Sequence, residues 1–389
     1  MHWICRLFVA CLVCAFSSVP LPAQKVEVDI SACRGMYAVL KAMHDGAPKE
    51  KVSSLLDTLL DTRPYQVMFK HYNRSWRPNH LPQPVFKRMI LSLGFAEEYA
   101  AGENERADTM RTRWRKYYAD LSMYETQLRQ LEAAELHTLI NDGVRFAQSW
   151  LPPEWKIPDF YFAVIPNGGS PAFTIDGAQG YDFFQLAQMR PGEIDVNWLV
   201  GTVAHESHHL GIRLDPPDRL STGDEMAYRV VTLSIAEGAA TYFISGSPAG
   251  RAPAFPEARF HIFTPELTKA WNDRVAQEEE LVQHQATLLD RALAGGLTED
   301  AFNTELREYW LNGTVGRAYV LGSEMFGAIY AAFGKAGALS AMQNPRQLFQ
   351  MYNQALDVKP DLLTRCVRIP EETVKQALAI GGSSLAGPN

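Results

Sequence analysis

The chain has 389 residues, 47% of them hydrophobic and 21% charged, an ordinary globular composition long enough for one large domain or two intimate ones. A formal net charge of -7 and a pI near 5.8 give no electrostatic reason to expect a nucleic-acid partner, and no basic cluster with interleaved aromatics reopens that question.

The N-terminus carries the first signal. Residues 1–6 end in a positive charge, residues 7–16 form an unbroken apolar run, and residues 17–23 turn small, polar and proline-bearing before Gln24. That order predicts a secretory signal peptide over 1–23, although Leu21 is bulky for its place before cleavage. The apolar run is too short to span a bilayer as a helix, so no stable membrane insertion is expected after cleavage. An exported chain follows, periplasmic or extracellular. Three of the five cysteines lie in that leader; Cys33 and Cys366 remain, either as a disulfide tying the ends together or as two buried thiols.

From about residue 31 to 150 the pattern is helical, with apolar positions at helical spacing in 53–61, 84–94 and 107–148. Breaks fall at Pro64 and in the 78–84 stretch. Between 153 and 188 the character changes. Residues 160–165 (FYFAVI) and 172–175 (AFTI) read as strands, with a third at 181–186, separated by Asn167-Gly168-Gly169-Ser170 and Asp176-Gly177 turns. Together they predict a small antiparallel sheet.

Helices then resume. Asp195 caps one through about Leu210, ended by Gly211, and Asp224 caps a second through Phe243. Further helices are predicted over 265–294, 298–310, 315–333, 345–356 and 370–380. The fold class is therefore α+β, predominantly helical. The expected organisation is a leader over 1–23, an N-terminal helical region over 24–150, and a sheet-plus-helices region over 151–389.

The first of these helices carries His205-Glu206-Ser207-His208-His209. His205 and His209 are four apart, so they share a helix face one turn apart and can reach one Zn²⁺. Glu206 flanks that face, free to take a proton from a water without occupying the metal. A catalytic zinc normally has three protein ligands. Glu237, in Ala236-Glu237-Gly238-Ala239-Ala240-Thr241, is the first choice, because a carboxylate on a largely apolar helix is costly to bury without a positive partner. Its small neighbours are expected to let the second helix approach the metal helix. Asp215, six residues after His209, is the rival; Glu225 better serves its own helix N-terminus. His208 projects about 100° away from His209 and is read as structural. Thr241 is read as a helix-surface threonine, with a hydrogen bond to a ligand histidine as the alternative.

His205-Glu206-x-x-His209 followed on a later helix by Glu237 resembles the gluzincin class of zinc metallopeptidases, and within it a group of exported bacterial zinc-dependent peptidases. The resemblance covers roughly residues 160–330. It implies a zincin-like arrangement, zinc held by His205, His209 and Glu237, and Glu206 as general base for hydrolysis of a peptide or protein substrate. It further implies a strand edge above the metal helix that pairs with the substrate, which suits residues 172–176. A tyrosine that stabilises the oxyanion is also implied, for which Tyr319 is the candidate. The chain lacks the N-E-x-x-S/D and G-x-M-E-N signatures, so endo- or exopeptidase specificity is not carried over. The competing expectation is a zinc-binding or helical partner-binding module without catalysis; hydrolysis of a non-peptide amide or ester is a third.

Overall fold

The computed structural model describes residues 24–74, 79–187, 190–260 and 262–381; the expected leader over 1–23 lies outside them. The described chain opens with strand β1 (Val26–Asp29). Helices α1 (Ser31–His44), α2 (Lys49–Leu60), α3 (Arg63–Tyr72), α4 (Gln83–Leu91), α5 (Glu105–Ala119), α6 (Leu121–Ala133) and α7 (Leu136–Ser149) follow. Strands β2 (Phe160–Ile165), β3 (Ala172–Ile175) and β4 (Ala178–Asp182) come next, then α8 (Val196–Gly211) and α9 (Thr222–Ala239). The remainder is α10 (Pro265–Val275), α11 (Glu278–Leu293), α12 (Glu299–Glu305), α13 (Arg317–Gln343), α14 (Leu348–Val358), α15 (Pro360–Leu363) and α16 (Glu371–Ala379).

The sheet corrects the antiparallel expectation. Its order is β1-β2-β4-β3, with β1–β2 and β2–β4 parallel and only β3–β4 antiparallel. The β3–β4 hairpin is local: Asp176 (φ 44°) and Gly177 (φ 72°) form its two-residue turn, with the paired positive φ values that match strand twist. The parallel pairs are not local. β1 enters from 130 residues upstream, with seven helices as its crossover, and no short-range pattern announces such a partner. β2, flanked on both sides, is buried along its whole length, as a continuous apolar run requires.

The third strand also shifts: β4 starts at Ala178, and residues 183–185 form a turn of 3₁₀ helix where a strand was expected. Asp182 explains this change. Its fully buried carboxylate accepts the N–H groups of Asn167 and Gly168 at 3.1 Å and caps that short helix, pinning the β2–β3 loop. The break expected at Pro64 falls at residues 61–62, between α2 and α3, and Pro64 itself sits in the first turn of α3, where its missing N–H costs nothing. The predicted 265–294 helix is two, α10 and α11. The helix predicted to stop at residue 333 meets Gly334 (φ 63°), where α13 breaks its helical geometry before continuing.

Helices cover both sheet faces. On one, Phe173 stacks on His71 of α3 with ring centroids 3.9 Å apart, and Cys33 of α1 donates its thiol to the carbonyl of Val164. On the other, Thr174 and its cross-strand partner Gln179 face α8, bonding Glu206 and Ser207. Cys33 and Cys366 are both free, buried thiols, so the disulfide alternative is not realised.

Candidate metal centre

Local rules place the first half of the site. Asp195 caps α8 by accepting from Trp198 N at 2.9 Å, and the helix runs unbroken through the histidine pair. Nε2 of His205 and Nε2 of His209 face each other at 3.1 Å. Glu237 arrives from the last turn of α9, its Oε2 lying 3.5 Å from His209 Nε2 and 4.0 Å from His205 Nε2. All three donor atoms lie within 4.8 Å of one another.

Tertiary packing sets the second half. α9 is capped by Ser221, whose hydroxyl accepts from Asp224 N at 3.1 Å, three residues earlier than the cap expected at Asp224. The small residues around Glu237 serve a different neighbour from the one anticipated. A Cβ on Gly238 would lie 2.3 Å from the Gly322 carbonyl carbon, and one on Gly322 would lie 2.2 Å from Ser234 O. α9 therefore meets α13 backbone to backbone. One turn before Gly322, Tyr319 is thereby brought against the site: its ring stacks 6.3 Å from that of His205, and its hydroxyl adjoins the Glu237 carboxylate.

After Ala239 the helix widens into a π-helical turn over Ala240–Ile244, closed by Ser245 N bonding Ala240 O. This turn corrects the Thr241 reading. Thr241 is buried with no partner for its hydroxyl, whereas Ser245 Oγ sits 2.8 Å from His205 Nδ1. With its Nε2 facing the other two donors, His205 is thus oriented through its second nitrogen. Ser245 had no sequence signal, since the extra residue of a π turn follows no 3.6-residue register.

Electrostatics follow from burial. Burial, aided by neighbouring His209, drives His205 down to about 3. Burial also works to lower His209, but the adjacent Glu237 and Glu206 carboxylates overcome it and raise it to about 9. Burial would raise Glu237, but His209, His205 and Tyr319 hold it below the usual carboxylate range. Glu206 lies beside the trio without belonging to it. Burial raises its pKa against the pull of His209 and Thr174, and its Oε2 accepts from Thr174 Oγ1 at 2.6 Å.

The donor set fits a divalent metal. Four tetrahedral ligands at zinc–nitrogen and zinc–oxygen bond lengths stand about 3.3 Å apart, and the separations of 3.1, 3.5 and 4.0 Å bracket that figure. Glu237 Oε2 is buried with no hydrogen-bond partner, which is costly for an anion unless a cation meets it. The other sequence candidates lie elsewhere. Asp215 and Glu225 are exposed and outside the donor group, and His208 is fully buried against the carbonyl of Trp150 at 3.3 Å.

A mostly helical protein with a small mixed sheet and a helix-borne His-His-Glu group able to hold a metal ion is the class these observations define. Residues 56–360 match the family described as "Putative zinc dependent peptidase (DUF5700)", and the chain belongs to that family. The match begins near the end of α2, well before residue 160, so helices α3 to α7 lie within the matched region, while α1 precedes it. No curated protein and no solved structure matches the chain.

Proposed function

We propose that the chain is an exported zinc metallopeptidase of gluzincin type, with zinc held by His205, His209 and Glu237. The observation that carries the reading is the convergence of these three donors beside a second carboxylate, Glu206, that is not one of them. A site built only to store or bind metal has no need of that buried acid.

Zinc bound there supplies Lewis-acid polarisation of a scissile carbonyl and acidifies a water molecule. The chain's own residues do the rest. Glu206, its pKa raised by burial, takes a proton from the attacking water and returns it to the leaving amine. Thr174 Oγ1 holds the Glu206 carboxylate in place through this transfer. Tyr319, whose phenol burial keeps protonated, donates to the developing oxyanion. Ser245 keeps the His205 ring in the orientation that points Nε2 at its co-ligands.

β3 is an edge strand. Asp182 N bonds Pro171 O at 2.9 Å, so by the two-residue alternation Phe173 and Ile175 bond β4, and the backbone groups of Ala172 and Thr174 point outward. This outward edge, beside Glu206, is where an extended peptide pairs.

Glu206→Gln tests the reading: it should keep zinc and lose hydrolysis of casein and short peptides, and full activity in that variant would overturn it. A wild-type chain that binds zinc and cleaves nothing would leave a partner-binding module. Export rests on the pattern of residues 1–23. N-terminal sequencing of protein recovered outside the cytoplasm should begin near Gln24.

A further inference from the structure

Two adjacent residues of the metal helix are held by two opposed residues of one hairpin. Thr174 of β3 bonds Glu206 at 2.6 Å, and Gln179 of β4 donates from Nε2 to Ser207 Oγ at 3.2 Å. Thr174 and Gln179 pair directly across the hairpin. Tyr181, two residues along β4 and so on the same face, donates to Gln179 Oε1 at 2.7 Å, which leaves the amide N–H groups for Ser207.

Three features bear on what the Gln179–Ser207 bond does. Gln179, Tyr181 and Ser207 are all fully buried. An apolar side chain would fill that space without needing partners; a bonded buried amide adds a fixed orientation. A single bond between two elements also leaves a pivot. Two bonds from adjacent helix positions, about 100° apart in projection, resist rotation of the helix about its axis. Finally, the two bonds differ in what stands behind them. Thr174 lies on the edge strand, where a paired peptide would pull on it. β4 is an inner strand, flanked by β2 and β3, and its Tyr181 stacks on Phe162 of β2 with ring centroids 4.6 Å apart. Gln179 is thus the firmer of the two anchors.

We infer that Gln179 is a positioning residue for the proposed general base. By holding Ser207 it fixes the rotation of α8 against the β3–β4 hairpin, and so keeps the Glu206 carboxylate on Thr174, beside the metal ligands and not among them. The inference rests on the hydrolase reading above and adds to that site a residue acting only through its neighbours.

A double-mutant cycle on kcat tests it, with the zinc-loaded full chain and casein or a short peptide as substrate. Ser207→Ala and Gln179→Met each remove the bond and leave Thr174 and Glu206 in the chain. Each is expected to lower kcat by about 10–100-fold, the scale of a catalytic group displaced by about 1 Å, with KM and zinc content unchanged. Thr174→Val should do the same. Adding Ser207→Ala to Thr174→Val should then cost little more, because both act through the placement of one carboxylate. Tm reports whether each variant folds, and Ser207→Ala, which deletes a single atom, carries the test where Gln179→Met does not fold. Wild-type kcat in Ser207→Ala, a loss that follows zinc content, or losses that multiply in the double variant would show that the network only supports the fold, and the inference would fall. The hydrolase reading would survive those outcomes; a wild type that cleaves no peptide would overturn both.

Discussion

Two regions of the interior gather acids, and they are satisfied in opposite ways. At the bottom of the α9–α11–α13 packing, fully buried Glu278 faces Arg251 Nε at 3.0 Å and accepts from Val367 N at 3.2 Å and Tyr352 OH at 3.4 Å. Nearby Glu324 accepts from Ala252 N at 2.6 Å. Glu278 Oε1 is bonded by main chain and phenol, and Oε2, which like Glu237 Oε2 has no hydrogen bond, faces the permanent charge of Arg251. At the metal centre, by contrast, Glu237 Oε2 faces two imidazole nitrogens at 3.5 and 4.0 Å, groups whose charge depends on a proton. A guanidinium balances the first acid from within the chain; the second faces imidazoles that can turn their lone pairs to a metal ion instead. Both clusters hold their acids on helices, so the difference lies in what faces each oxygen and not in burial.

This contrast can be broken most sharply at Glu206. Glu206→Gln is expected to lower kcat by about 10²–10⁴-fold, the usual contribution of a general base, with zinc content by elemental analysis unchanged. Chelation comes next. If the donor trio closes on zinc only in the folded chain, free zinc at a thousandfold over its Kd stabilises by about 4 kcal/mol, read as a Tm drop on chelation. Glu237→Gln should shrink that drop, whereas Glu278→Gln should leave the chelator-dependent difference intact. Zinc competition assays on Ser245→Ala are expected to show a loss of roughly 10–100-fold in affinity, since only the orientation of His205 is disturbed. An unchanged affinity would remove Ser245 from the site.

The other cluster supplies a test that leaves the metal centre untouched. Burial, with Glu278 nearby, raises Glu324 to about 8 from a usual value of 4.5. A carboxyl with a raised folded pKa binds more protons folded than unfolded between those values, so it makes stability fall as pH rises from about 4.5 to about 8. Glu324→Gln keeps an oxygen for Ala252 N and has nothing to titrate. Its Tm profile should be flatter than that of wild type across this window, and parallel profiles would refute the assignment. Each unit of pKa separation corresponds to about 1.4 kcal/mol.

Local geometry was legible in the residues. The four-residue spacing of His205 and His209, the Asp195 cap, the Asp176-Gly177 turn and the end of helix near 333 all rest on interactions within a few positions. Glu237 was legible for a different reason: a charge on an apolar helix announces that something must meet it. The parallel pairing of β1, the Gly238–Gly322 contact that brings Tyr319 alongside, and the π turn that carries Ser245 to His205 were not legible.

By itself, then, the sequence determined a helix-rich protein with two histidines on one helix face and an acid between them, because hydrogen bonds four residues apart dictate that face whatever else the chain does. Tertiary structure decided that Glu237 and not Asp215 meets those histidines, and which hydroxyl steadies one of them. Those choices depend on backbones separated by tens to hundreds of residues coming into contact, and no local periodicity encodes such an approach.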